Sequence, residues 1–201
     1  MDGWRIAVPP SLARSVPKRR AEFAAGRHCA REALRALGVD SADDPIDIGP
    51  HREPLWPKGI TGSITHCAGY ACAAVARESD ILAIGIDSER VVHPSAMTSI
   101  EHHIASPAEV ERISTQWSGG DDVLRTLVFS AKECLFKCLF PRVRRYWGFL
   151  DVEMMDVREG SFEIRLLTTL HPTLPSGRSV TGIHRVVDGR VDTALFLGSD
   201  G

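Results

Sequence analysis

The segment from 121 to 140, DDVLRTLVFSAKECLFKCLF, constrains the fold most tightly. Acids open it and Pro141 follows it, so the spacing predicts one long helix that stops there. Leu127, Ala131, Cys134, Leu135 and Cys138 recur at helical intervals, and this face must lie on an apolar surface. Ser130, Glu133 and Lys137 form a separate stripe, at i, i+3 and i+7. Glu133 has apolar neighbours, where an unpaired carboxylate is expensive. Lys137, one turn on, is one candidate partner; a cation shared with other acids is the second.

The remaining elements follow from similar signals. Residues 17 to 37 predict a second helix, opened by Pro17 and closed by Gly38, with Phe23, Ala30, Leu34 and Leu37 facing a core. Arg20, Arg27 and Arg31, with Arg19 beside them, make a basic stripe that is either a solvated face or a phosphate clamp. Residues 39 to 59, spaced with prolines, read as an ordered loop. Residues 62 to 66, 70 to 77 and the strand ending at Asp87 are expected to form a three-stranded antiparallel meander. Residues 94 to 117 are helical in pieces, with Ser106-Pro107-Ala108-Glu109 as a start signal. Four strands are expected in the last third, over 149–157, 161–167, 179–187 and 190–197, the last two joined by Asp188-Gly189. Each half of the chain thus carries a helix and a small antiparallel sheet, an α+β arrangement.

The apolar run Ile81-Leu82-Ala83-Ile84 leads into Gly85-Ile86-Asp87-Ser88-Glu89-Arg90. Side chains alternate along a strand, so Asp87 and Glu89 project on one side and need a positive partner. That partner is either an arginine, with Arg90 adjacent, or a metal ion. Asp87, Glu89 and Glu133 together would make an all-oxygen site, which suits magnesium. The five cysteines are odd in number and contain no CxxC pair, which predicts buried reduced thiols. His66-Cys67 with Cys72 lacks the second ligand pair that a zinc site requires. A formal net charge of -2 marks no nucleic-acid binder, and no apolar stretch is long enough to span a bilayer. The N-terminus shows no signal-peptide pattern, so a cytoplasmic protein is expected. No Gly-rich phosphate loop, GxSxG or HExxH is present.

Four segments in order, RRAEFAAGRHCAREAL (19–34), REPLWPKGITGSITHCAGYACAAVA (52–76), GIDSE (85–89) and FSAKECLFK (129–137), resemble the Sfp-type 4'-phosphopantetheinyl transferases. The resemblance is to the branch that holds the enterobactin-pathway and actinobacterial enzymes. It implies transfer of the phosphopantetheine arm of coenzyme A to a serine of an apo acyl or peptidyl carrier protein, with Mg2+ on the pyrophosphate and 3',5'-ADP released. It implies metal contacts from Asp87, Glu89, Glu133 and the carbonyl of Ser88, and catalytic roles for Glu133 and Lys137. Glu133, or a bound water or aspartate, would take the serine proton. Coenzyme A contacts are implied for Thr65 and His66 at a strand end, for Arg19 and Arg27 at the 3'-phosphate, and for His51 and Arg52 in the nucleotide loop. The implied fold has two similar halves related by a pseudo-twofold, residues 1–98 and 99–201, with the active site between them. A monomer with no nucleic-acid or membrane partner is expected. Two departures stand out: Ile48 occupies a place where relatives usually carry lysine, and the portion before the first motif is short. The C-terminal third matches only in general pattern. Arg142, Arg144 and Arg145 are either a patch for an acidic carrier or a solvated turn. Two other readings of the same acids are a magnesium-dependent phosphohydrolase and a non-catalytic module that binds coenzyme A or a carrier; the full set of acids with Lys137 argues against the second.

Overall fold

The computed structural model describes residues 6–91 and 101–198. Helix α1 (Pro17–Ala36) begins on its proline, and the chain leaves it through Gly38 at φ +71°. It lies on a hairpin of β1 (Ile60–Cys67) and β2 (Tyr70–Arg77). Ala30 and Leu34 are fully buried there, against Ile46 and Ile60. The loop between helix and hairpin is ordered by an Ile48–Pro54 bridge and by Trp56, whose indole N–H donates to the Gly62 carbonyl at 3.0 Å.

Next come β3 (Ile81–Arg90), the short helices α2 (Glu101–Ile104) and α3 (Pro107–Ser114), and the long helix α4 (Asp121–Val143). Ser106 caps α3 by accepting the Glu109 N–H, as its sequence signal predicts. Of the helical segment expected over 94–117, residues 94–100 lie outside the described residues. The chain ends in four antiparallel strands, β4 (Val152–Arg158), β5 (Ser161–Leu166), β6 (Ser179–Val187) and β7 (Arg190–Gly198). Asp188 and Gly189 both have positive φ, the geometry of a tight hairpin turn between β6 and β7.

The α+β class holds, with α1 on the β1–β2 hairpin and α4 on a five-stranded sheet, but the expected meander does not form. β3 leaves the hairpin and becomes the edge strand of a five-stranded sheet in the order β3-β7-β6-β5-β4. Its ladder with β7 runs from Ile81↔Gly198 to Arg90↔Arg190. The physical reason is the shared helix. Gly85 and Asp87 turn toward α4, and their register partners Leu195 and Thr193 are buried beside them. β1 still touches β3, through side chains: the amide of Ile86 donates to Ser63 Oγ at 3.1 Å, and that of Ser88 to Thr65 Oγ1 at 2.9 Å. Two hydroxyls thus satisfy the strand edge that a third ladder would have covered.

α4 also differs from expectation at its end. It continues past Pro141 to Val143, and closes on Arg144 in the left-handed region, whose N–H reaches the Phe140 carbonyl. Proline removes one N–H from the last turn without ending it. The predicted apolar stripe of α4 forms the floor of the larger core: Leu127, Ala131, Cys134, Leu135 and Cys138 are all fully buried. All five cysteines are free thiols; Cys29 and Cys72 are only half-buried. Burial pushes the Cys138 thiol up to about 12 and Cys134 higher still.

Gly85 fixes how closely β3 approaches the helix. A Cβ at this position would collide with the Cys134 carbonyl oxygen and stand 2.8 Å from Cys138 Cβ. With no side chain there, Cys134 Sγ donates to the Gly85 carbonyl at 3.1 Å. Two residues on, Asp87 is thereby brought against the polar stripe of α4.

Candidate active site

Asp87 is buried, and each of its oxygens is occupied. Oδ1 accepts from the Lys137 ammonium at 2.6 Å and from Thr65 Oγ1 at 3.3 Å; Oδ2 accepts from Ser130 Oγ at 2.8 Å. Ser130 spends its one proton on Asp87, so Thr193 is the donor in their 2.9 Å contact. Ser130 and Lys137 come from α4, Thr65 from β1 and Thr193 from β7. α4 and β1 thus converge on one carboxylate of β3, with β7 behind it through Thr193. The positive partner of the strand acids is therefore Lys137. Arg90 instead donates to the backbone carbonyls of Ala68 and Asp188.

Glu89 and Glu133 complete the acid group. Burial, the charge of Asp87 and the charge of Glu133 push the Glu89 carboxyl up to about 7, against the pull of Lys137. Glu133 is raised for similar reasons, burial first, with Asp87 adding to it and Lys137 opposing. One ammonium serves three half-buried or buried carboxylates. Such a group is short of positive charge. Its donors are all hard oxygens, so in type and charge it fits a hydrated magnesium ion. Among the described residues no three His, Cys, Asp or Glu side chains stand close enough to enclose a metal by themselves. Magnesium keeps several waters and draws further oxygens from bound phosphates, so it needs fewer protein ligands than that. Ser88 turns its side chain away from the acids and donates to Asp192 Oδ1 at 2.8 Å. Burial opposes ionisation of Asp192, yet hydrogen bonds from Arg190, Ser88 and Arg185 hold its carboxyl down at about 2.

The basic residues divide into two groups. Arg19 Nη1 stands 3.0 Å from His66 Nε2; arginine has only donors, so this nitrogen of His66 accepts. Burial lowers the His66 pKa, Glu22 at 3.8 Å raises it, and Arg19 and Lys137 lower it further. A neutral imidazole results, next to Thr65 on β1 and within electrostatic reach of Lys137. Arg27 takes another place: its Nε donates to the Ile46 carbonyl at 2.9 Å and its guanidinium lies 4.7 Å from the Phe23 ring centre. Burial lowers it to about 10. His51 and Arg52 are exposed, and the His51 ring meets Phe140 at 5.4 Å. The structure thus gathers Arg19, Thr65, His66, Asp87, Glu89, Glu133 and Lys137 into one connected group. Arg27 is tied to the loop, and His51 and Arg52 sit where that loop meets the end of α4. Beside the group, a cleft of about 840 Å³ opens between α1 and the β1–β2 turn, lined in part by Glu22, His28, Cys67 and Tyr70.

Sequence reasoning missed one part of this site and one buried support of the helix that carries it. Thr193 carries no local signal, since only the β3–β7 register brings it to Asp87. Lys132, inside FSAKECLFK, is fully buried and donates to Glu109 Oε2 at 2.9 Å and to the carbonyls of Ile104, Phe149 and Val152. A lysine between apolar helix neighbours demands such a buried partner, and that was its available signal.

Comparison with known proteins identifies the family. A family model described as the 4'-phosphopantetheinyl transferase N-terminal domain matches residues 8–76, and one described as the 4'-phosphopantetheinyl transferase superfamily matches residues 83–186. The chain belongs to this superfamily. It is 42% identical over 198 residues to the 4'-phosphopantetheinyl transferase PptT of Mycobacterium tuberculosis, spanning 94% of this chain and 83% of the relative. It is 39% identical over 194 residues to the 4'-phosphopantetheinyl transferase Svp of Streptomyces mobaraensis, spanning 94% and 76%. Identity to enterobactin synthase component D of Escherichia coli is 37% over 139 residues, 69% of this chain and 63% of that protein. The chain is accordingly an enzyme of the phosphopantetheinyl transferase type, with coenzyme A as substrate. Among the described residues, no helix of the transferase is long and apolar enough to cross a membrane.

Proposed function

We propose that this transferase moves the 4'-phosphopantetheine arm of coenzyme A to a serine of an apo acyl or peptidyl carrier protein, as a magnesium-dependent, monomeric, cytoplasmic enzyme. The observation that carries the reading is the meeting of Asp87 with Lys137 at 2.6 Å, in a carboxylate group left short of positive charge. Asp87, Glu89 and Glu133, with the Ser88 carbonyl, would hold the metal, in part through its own waters. When bound, magnesium supplies charge neutralisation on the pyrophosphate oxygens. Lys137 shares that task and stabilises the charge that develops on the departing 3',5'-ADP. Arg19 and His66 line the approach for coenzyme A phosphates, with Thr65 behind them. Arg27 holds the loop that carries His51 and Arg52, and its remaining guanidinium N–H groups would be available to the 3'-phosphate.

In the reaction, the carrier serine oxygen attacks the β-phosphorus, and the bond from that phosphorus to the bridging oxygen breaks. The serine proton goes to Glu133, directly or through a water. Burial raises this carboxyl in the metal-free site; bound magnesium would lower it again, which favours the route through a water. Incubation with coenzyme A and an apo carrier protein, followed by intact mass, tests the proposal. One phosphopantetheine is expected on the carrier; release of phosphate or nucleotide with an unmodified carrier would indicate a phosphohydrolase instead. Glu133→Gln should lower kcat by at least about a hundredfold, the scale for loss of a general base. Near-normal turnover in that variant would remove Glu133 from the chemistry.

A further inference from the structure

α4 carries Glu133 and Lys137 in its middle, and its C-terminal end opens onto an exposed, partly apolar surface. Arg144 and Arg145 are exposed there. Tyr146 follows, 80% exposed, with Leu150 at 51% and Leu167 at 45%. These residues form one patch, because hydrogen bonds tie their segments together. Arg145 Nη2 donates to the Thr169 carbonyl at 2.9 Å, and the Leu167 amide donates to the Asp151 carbonyl at 2.8 Å. The patch lies at the end of the helix that carries the site. The Tyr146 ring lies 5.9 Å from Phe136, the residue next to Lys137. Seven residues of helix separate Lys137 from Arg144, about 10 Å along the axis.

A helix C-terminus attracts arginine by its dipole alone, and Arg144 does bond the Pro141 carbonyl at 3.0 Å. That accounts for Arg144. It does not account for an 80% exposed tyrosine flanked by two exposed leucines. Exposed aromatic and arginine side chains on a partly apolar patch make up the composition of a protein interface. The reaction requires a protein substrate whose serine reaches Glu133, and this patch closes the same helix, about 16 Å further along its axis. We propose that Arg144, Arg145, Tyr146, Leu150 and Leu167 form the docking surface for the apo carrier protein, and that the carrier presents carboxylates around an apolar contact beside its serine. The inference rests on the carrier-modifying reading above. It assigns to the 144–146 turn the part of the reaction that coenzyme A binding does not need.

Steady-state kinetics with a purified apo carrier test it. Arg144→Glu with Arg145→Glu should raise KM for the carrier by at least about tenfold, since reversing two rim charges sets like charges against the partner. KM for coenzyme A should stay at the wild-type value. Tyr146→Ala should raise carrier KM as well but keep the salt dependence expected of the wild type, which the double variant should lose. A melting temperature equal to wild type excludes unfolding as the cause. Wild-type carrier KM in both variants would overturn the docking surface while leaving the transferase reading intact. Failure of the wild type to modify any carrier would overturn the reading beneath it. Equal rises in KM for both substrates would assign the patch to coenzyme A.

Discussion

At the level of the residue, Glu89 is the most informative side chain of the group. Among the described residues no cation pairs directly with its carboxyl, and burial beside Asp87 pushes it up to about 7 from an ordinary 4.5. A group with a raised folded-state pKa holds its proton more tightly when folded. Its contribution to stability is present at low pH and is lost as pH rises from about 4.5 through about 7. Glu133 shifts in the same direction and adds to the slope. In chelator, without coenzyme A, the melting temperature should therefore fall across that window. Glu89→Gln should flatten the fall, and magnesium with coenzyme A should reverse it. A melting temperature that is level in the wild type from pH 5 to pH 8 would contradict the charge deficit at the site.

At the level of the element, α4 carries two lysines five residues apart with opposite tasks. Lys132 points into the core, where its ammonium joins α2, α3 and the start of β4, and Glu109 also accepts the Met154 amide at 2.7 Å. Lys137 points into the site and meets Asp87, which Ser130 and Thr65 also support. Lys132→Met leaves Glu109 buried and unpaired, and should destabilise the fold by about 3–5 kcal/mol. Lys137→Met should alter stability much less, because its ammonium is partly solvated and Asp87 keeps two hydroxyl donors. Its turnover should drop while Lys132→Met, at a temperature where it stays folded, keeps most of its activity. Denaturant unfolding and kcat on both variants give the comparison; the reverse pattern would exchange the two roles. The helix reads clearly in the sequence because both stripes repeat at its period. The direction of each lysine was less plain, since Lys132 is in neither named stripe and its partner lies 23 residues earlier.

At the level of the whole molecule, β3 joins the parts. Its backbone belongs to the C-terminal sheet through β7, and its free edge is satisfied by hydroxyls of β1. The site therefore exists only when a strand near residue 85 pairs with one near residue 195. A fragment ending at residue 91 should leave the β3 amides unprotected in hydrogen exchange, while the same amides in the full chain exchange among the slowest. Protection of β3 in that fragment would mean that the hairpin can hold it without β7.

Periodicity and punctuation are local properties, and through them the sequence alone determined both long helices, the β1–β2 and β6–β7 hairpins, and the alternation that sets Asp87 and Glu89 on one side of a strand. It also marked Glu133 and Lys137 as sharing a stripe with Ser130. Strand pairing is not local. β3 follows β2 closely, so chain continuity favoured the meander, and only burial on α4 selected β7 as its neighbour. Tertiary structure alone placed Thr193 behind Asp87, sent Arg90 to backbone carbonyls, and gave Lys137 to Asp87. Each of those outcomes depends on which groups lose their water together, and that is decided by packing between segments up to about a hundred residues apart rather than by the order of residues within any one of them.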